Sequence, residues 1–173
     1  VAIHDGASAT LENNNIHSNI GHCVQVAGEG TEVVLRGNRI HDGKASGMFI
    51  FEGASATLEN NNIHSNTDAG VFVKGESSEA VLRGNRIHDG EKSGVIIFER
   101  ASATLEDNTI TDNDLSGVDI VNHATATLTG NTIEGNGQCK IERTEEVLAT
   151  CCGFSPNGFS GVRAADHSTV TMP

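Results

Sequence analysis

Four histidines, His17, His41, His64 and His88, recur at spacings of 24, 23 and 24 residues, each directly after an isoleucine. If those positions are stacked, neighbouring imidazoles could chelate a soft or borderline cation, with Asp42 and Asp89 alongside. No closed four-ligand cluster is evident, and Thr111 and Glu134 end the column without replacing it. Clustered imidazoles would still make that surface sensitive to pH near about 6. Among carboxylates able to act as acid or base, only Asp89 and Asp112 are neighbours in one column. Cys139, Cys151 and Cys152 allow a disulfide from Cys139 to one of the vicinal pair, or three free thiols. No C-x-x-C spacing or nearby histidine pair supports zinc there.

The elements that position these residues follow from a repeat. The pattern L-x-x-N-x-I occurs six times, with leucines at 11, 35, 58, 82, 105 and 128 and asparagines at 14, 38, 61, 85, 108 and 131. A seventh start, "HSTVTM" at 167–172, stops before its asparagine. Within each unit apolar residues alternate with polar ones, the period of strands. Ala54, Ala56 and Leu58 face one way, and Ser55 and Thr57 the other. A second strand follows each isoleucine, as in "GVFV" at 70–73 and "GVDIV" at 117–121, and Gly, Asn and Asp occupy the corners. The expected fold is all-β: a single-stranded parallel β-helix of about seven coils, each 23–24 residues. Coils occupy 1–136, a Cys-containing insertion 137–160 with a short helix in "IERTEEVLA", and a partial coil 161–173. Both ends fall within a coil, which predicts further coils or a partner beyond them.

Stacking at the strand spacing of about 4.8 Å makes columns. The asparagine column should form a buried amide ladder. "VLRGNRIHDG" recurs letter for letter at 34–43 and 81–90, so the perfect period is two coils. The column after each leucine reads Glu12, Arg36, Glu59, Arg83, Glu106, Thr129, and alternating signs attract where like signs would repel. Taking Asp119 as outward places Gln25, Phe49, Phe72 and Ile96 in one outward column, with Phe51, Phe98 and Val121 beside it. That is an apolar strip on a polar surface, the kind of patch that marks an interface; a bulge would instead turn these rings into the core.

Composition narrows the function. The 173 residues carry 11 Lys+Arg against 23 Asp+Glu, a net charge of −12, with no basic run to track phosphates; nucleic acid is not an expected partner. No apolar run reaches the roughly 18–20 residues of a membrane span, and "VAIHDGAS" shows no targeting signal. The chain is expected to be soluble, with its compartment open.

The coil pattern resembles the carbohydrate-binding and sugar-hydrolase (CASH) class of right-handed parallel β-helices. Within it, "GVFVKGESSEAVLRGNRIHDGEKSGVIIFE" and "GVDIVNHATATLTGNTIEGN" are similar to the β-helical region of F-box substrate adaptors of ubiquitin ligases. That resemblance implies a recognition surface without catalysis. The expectation is a cofactor-free scaffold, a segment or subunit of something larger, that presents Phe49, Phe51, Phe72, Ile96 and Phe98, or the Cys-bearing insertion, to another protein. The same class houses pectate lyases and uronate epimerases, so a polysaccharide-binding or polysaccharide-cleaving β-helix is the rival. The chain has no Asp-Pro-His signature and no Trp or Tyr. A more remote expectation, ice or lattice binding, rests on outward Ser55/Thr57, Ser102/Thr104, Thr125/Thr127 and Thr169/Thr171, interrupted by Glu32, Val34, Glu79 and Val81.

Overall fold

A computed structural model describes residues 1–137, 162–164 and 168–171. The chain winds into a right-handed parallel β-helix, three strands to a coil. The first sheet stacks Ala2–His4, Val24–Ala27, Met48–Phe51, Val71–Lys74, Val95–Phe98, Val118–Val121 and Val162–Ala164. The second stacks the L-x-x-N leucine strands, from Ser8–Glu12 to Thr125–Thr129, and ends on Thr169–Thr171. The third stacks the isoleucine strands, from Asn15–His17 to Thr132–Glu134. Among the described residues the sheets hold seven, seven and six strands, so six coils are complete and the seventh is partial. Every pairing is parallel and in register, with Leu35 on Leu58 and Ile40 on Ile63. Among the described residues, no helix is long and apolar enough to cross a membrane. The cysteines at 139, 151 and 152 and the expected helix lie outside the described residues.

Alternation explains the core. Inward positions such as Val71, Val73, Leu82 and Ile87 are fully buried, and their outward neighbours are not. Each large side chain so enclosed contributes roughly 1.5–3 kcal/mol relative to exposure. The axis is narrow, and glycine precedes four successive strands of the first sheet, at Gly47, Gly70, Gly94 and Gly117, for that reason. A Cβ on Gly70 would stand 2.5 Å from Ile87 Cγ2 and 2.7 Å from the Gly94 carbonyl oxygen.

Corners are sealed by side chains. Asn38 donates from its backbone N–H and its Nδ2 to Asn61 Oδ1 at 2.9 and 3.0 Å, and Asn61 repeats this to Asn85 at 2.9 and 3.0 Å. The Nδ2 of Asn85 also donates to the Leu58 carbonyl at 2.8 Å. This is the expected ladder. A second ladder stands at the next corner, where Asn66, Asn113 and Asn136 are buried and Asn113 N–H and Nδ2 donate to Asn136 Oδ1 at 3.1 and 2.8 Å. Its sequence signal is masked because glycine alternates with asparagine there: Gly43 and Gly90 donate backbone N–H to Asn66 and Asn113 Oδ1 at 3.1 Å each.

Candidate functional site

The apolar strip lies on the outer face of the first sheet, which settles its parity. Val118 and Ile120 are buried while Asp119 and Val121 are half-exposed, and the same pattern holds from Met48–Phe51 to Val95–Phe98. Register places Gln25, Phe49, Phe72, Ile96 and Asp119 in one column, and Ala27, Phe51, Lys74, Phe98 and Val121 in the next. No bulge turns the rings inward. All are half-buried, because each packs against its neighbours along the sheet.

The rings form a continuous row. Phe49 stacks on Phe51 at 4.4 Å between centroids, meets Phe72 at 5.2 Å, and Phe72 meets Phe98 edge-on at 6.4 Å. Lys74 Nζ lies over the Phe98 ring, 5.8 Å from its centroid, and 3.5 Å from Glu99 Oε2. Such a row is an apolar surface flanked by polar groups, with the stacked faces of Phe49 and Phe51 turned to each other.

His22 extends the row, 4.6 Å from Phe49. Its Nδ1 accepts the Ser46 backbone N–H at 3.2 Å, while the Ser46 hydroxyl donates to Asp68 Oδ2 at 2.9 Å. The hydroxyl therefore bonds the carboxylate and not the imidazole, and Ser46 is buried, so the three do not make an activated nucleophile. Burial pushes the His22 pKa down against the opposing pull of Asp68. His22 and Asp68 do not stand out in the sequence, because of the three only Ser46 recurs in other coils, as Ser93 and Ser116.

Beyond Phe98, an open cleft of about 460 Å³ is lined by Gly75, Glu76, Glu99, Arg100, Asn122 and His123. Arg100 pairs with Glu76 at 3.4 Å across it.

The histidine column forms elsewhere, on the third sheet. Successive rings from His17 to His88 stack at 5.1, 4.8 and 5.1 Å, within 16° of parallel. Their environments alternate with the two-coil period. His41 and His88 are buried, contrary to the expectation of exposed imidazoles; Nδ1 meets Asp42 and Asp89 at 2.6 and 2.7 Å, and Nε2 meets Asn15 and Asn62 at 2.9 and 2.8 Å. His17 and His64 face Ser18 and Ser65 instead, at 3.0 and 3.1 Å, and Arg39 Nε donates to His64 Nε2 at 3.1 Å. Burial, then the neighbouring His41 and His88, lower the His64 pKa. The hydrogen bond from His41 holds the Asp42 carboxyl below its usual range.

On the second sheet, Arg36 donates to Glu12 at 3.2 Å and Glu59 at 2.7 Å, and Arg83 to Glu106 at 2.7 Å, as the alternating column requires. Thr57 and Thr104 face outward beside Val81.

The family model described as periplasmic copper-binding protein (NosD) matches residues 1–79 and 29–147, and the chain belongs to that family. Among solved structures, the periplasmic alginate epimerase AlgG is similar with a TM-score of 0.75 at 18% identity, over 98% of this chain and 41% of that chain. A mutant of the same epimerase matches with a TM-score of 0.57 at 16% identity, over 95% of this chain and 43% of that one. The chain thus spans about two fifths of the epimerase's length, and the likeness carries the fold. No curated protein matches the chain. The expected likeness to a right-handed β-helix stands; the likeness to F-box adaptors gains nothing from these comparisons.

Proposed function

We propose that this member of the NosD family is a polysaccharide-binding β-helix whose site is the aromatic row Phe49, Phe51, Phe72, Ile96 and Phe98 on the first sheet. The observation that carries the reading is the row itself. Between successive coils the ring centroids lie 5.2 Å apart from Phe49 to Phe72 and 6.4 Å from Phe72 to Phe98, with Phe51 beside Phe49 in the same coil at 4.4 Å, and the coils repeat at the strand spacing of about 4.8 Å, close to the length of one pyranose. A linear glycan laid along the helix axis would set successive sugars against successive coils. Apolar sugar faces would lie on the rings, with polar edges toward Gln25, Lys74 and His22. The structural likeness to an alginate epimerase supports a glycan over the protein partner expected from the sequence. No reaction is assigned to the site.

The histidine column does not fit copper, which the family description mentions. Imidazole lone pairs lie in the ring plane, so rings stacked within 16° of parallel cannot converge on one ion. The Nδ1 atoms are also engaged by Asp42, Asp89, Ser18 and Ser65. Among the described residues no group of three or more His, Cys, Asp or Glu could hold a metal.

The test is a glycan array probed with the wild-type protein and with F49A/F72A. The wild type should retain at least one linear glycan class, and the double variant should lose it by about tenfold or more while its far-ultraviolet dichroism is unchanged. A protein partner is the second reading, favoured by the aliphatic continuation of the row through Ile96 and Val121. Retention of every glycan by the double variant, or of none by the wild type, would leave that second reading in place of the first.

A further inference from the structure

The row contains one ammonium site filled by a lysine and, at the same register positions two coils earlier, a second Phe–Glu pair that no lysine joins among the described residues. At the filled site, Lys74 Nζ rests over the Phe98 ring at 5.8 Å and against Glu99 at 3.5 Å. Ring face and carboxylate together make a strong acceptor for an ammonium group, since the quadrupole and the charge both attract it. Phe51 and Glu52 hold the same register positions two coils earlier, where one face of the Phe51 ring rests on Phe49. Both glutamates follow a phenylalanine in the same column, and both hold a left-handed backbone, φ 56° at Glu52 and 54° at Glu99. The residue one coil before Phe98 is Lys74, whereas one coil before Phe51 it is Ala27, which has no amine to offer. Glu52 is exposed and forms no ion pair among the described residues.

The surroundings favour a cation. Asp5, Glu29, Glu52, Glu76 and Glu99 place one carboxylate on the adjoining turn in each of five successive coils. Glu76 and Glu99 are paired with Arg100 and Lys74, so the negative potential is concentrated around Glu29 and Glu52. The opposite edge carries Lys44 and Lys92 against Asp68, Glu91 and Asp114, a mixed boundary. A uronate polymer would meet like charge along the rail.

We infer that Phe51 and Glu52 form an ammonium subsite and that the glycan taken by the aromatic row is an amino-sugar polymer. The inference rests on the glycan reading above and names its substrate class. The ligand amine takes the position at Phe51 that Lys74 Nζ takes at Phe98. In a two-fold glycan chain alternate amines face the rail, so one amine at Phe51–Glu52 is compatible with the neighbouring sugars lying on Phe49 and Phe72.

The experiment is calorimetry of the intact protein with three hexamers, glucosamine, its N-acetylated form and a uronate, at a pH where the free amine is protonated. The glucosamine hexamer should bind about fivefold or more tightly than the acetylated one, with the uronate weakest. That preference should vanish in E52Q, vanish in A27K, where a built-in lysine fills the subsite, and shrink as salt is raised. Equal or tighter binding of the acetylated or uronate hexamer, or a preference that survives E52Q, overturns the inference and leaves the glycan reading standing. Failure of all three hexamers to bind overturns both.

Discussion

Gly37 lies so close to Asn13 of the preceding coil that a Cβ on the glycine would stand 2.6 Å from Asn13 Oδ1. The same relation holds between Gly84 and Asn60 at 2.5 Å. All four residues have positive φ, between 55° and 62°, so the corner needs a left-handed residue in every coil but has room for a side chain in only every second one. The exact two-coil repeat therefore has a steric cause at this corner as well as an electrostatic one beside it.

Gly84→Ala should lower stability by about 1–3 kcal/mol, from left-handed strain and the contact with Asn60. Adding Asn60→Gly removes the Oδ1 that the new Cβ would meet, so N60G/G84A should recover part of the loss. Urea unfolding of the wild type and the two variants checks this, and no recovery in the double variant would mean that strain alone sets the cost.

Within the amide ladder, position decides the penalty. Asn85→Ala leaves Asn61 N–H and Nδ2, and the Leu58 carbonyl, without the partner they have in the buried column. A loss of about 3 kcal/mol or more is expected, since each orphaned buried group costs about 1–3 kcal/mol. Asn14→Ala, at an exposed position of the same column, should cost under about 1 kcal/mol. Equal midpoint shifts in denaturant would contradict this account of the ladder.

Acid should act through His22, whose pKa burial lowers, and through His64. The His64 pKa is lowered in the folded chain by burial and then by His41 and His88, so the unfolded chain takes up its proton first as pH falls. Stability is then intact above the ordinary histidine value of about 6.5, declines below it, and levels off beneath the folded pKa. His64→Gln should flatten that decline, measured as the unfolding midpoint between about pH 7.5 and 5. An unchanged slope would show that this imidazole is not responsible.

Much of the architecture was legible because alternation and a fixed repeat survive in the letters: Leu58, Asn61 and Ile63 announce a strand, a corner and a strand. Parity read from Asp119 also transferred correctly to Phe49 and Phe72, since parallel in-register strands share one facing. Other features were hidden by the same two-coil rule. Asn66 and Asn113 belong to a ladder whose intervening coils use Gly43 and Gly90 N–H groups, so no column of asparagines appears. The carboxylate rail shifts by one residue between coils, from Glu29 to Glu52, as glycine moves from one side of the glutamate to the other. Burial of His41 and His88, with His17 and His64 left more open, depends on Asp42 and Asn15 against Ser65 and Arg39, contacts that no single-residue pattern displays.

The most direct test of the central claim is a nuclear magnetic resonance titration of the labelled protein with a glucosamine hexamer. Binding on the first sheet should move the ring signals of Phe49, Phe51, Phe72 and Phe98 and the methyl signals of Ile96, while Thr57 and Thr104 on the second sheet stay unmoved. Shifts centred on those threonines or on His41 and His64, with the phenylalanine rings silent, would contradict it.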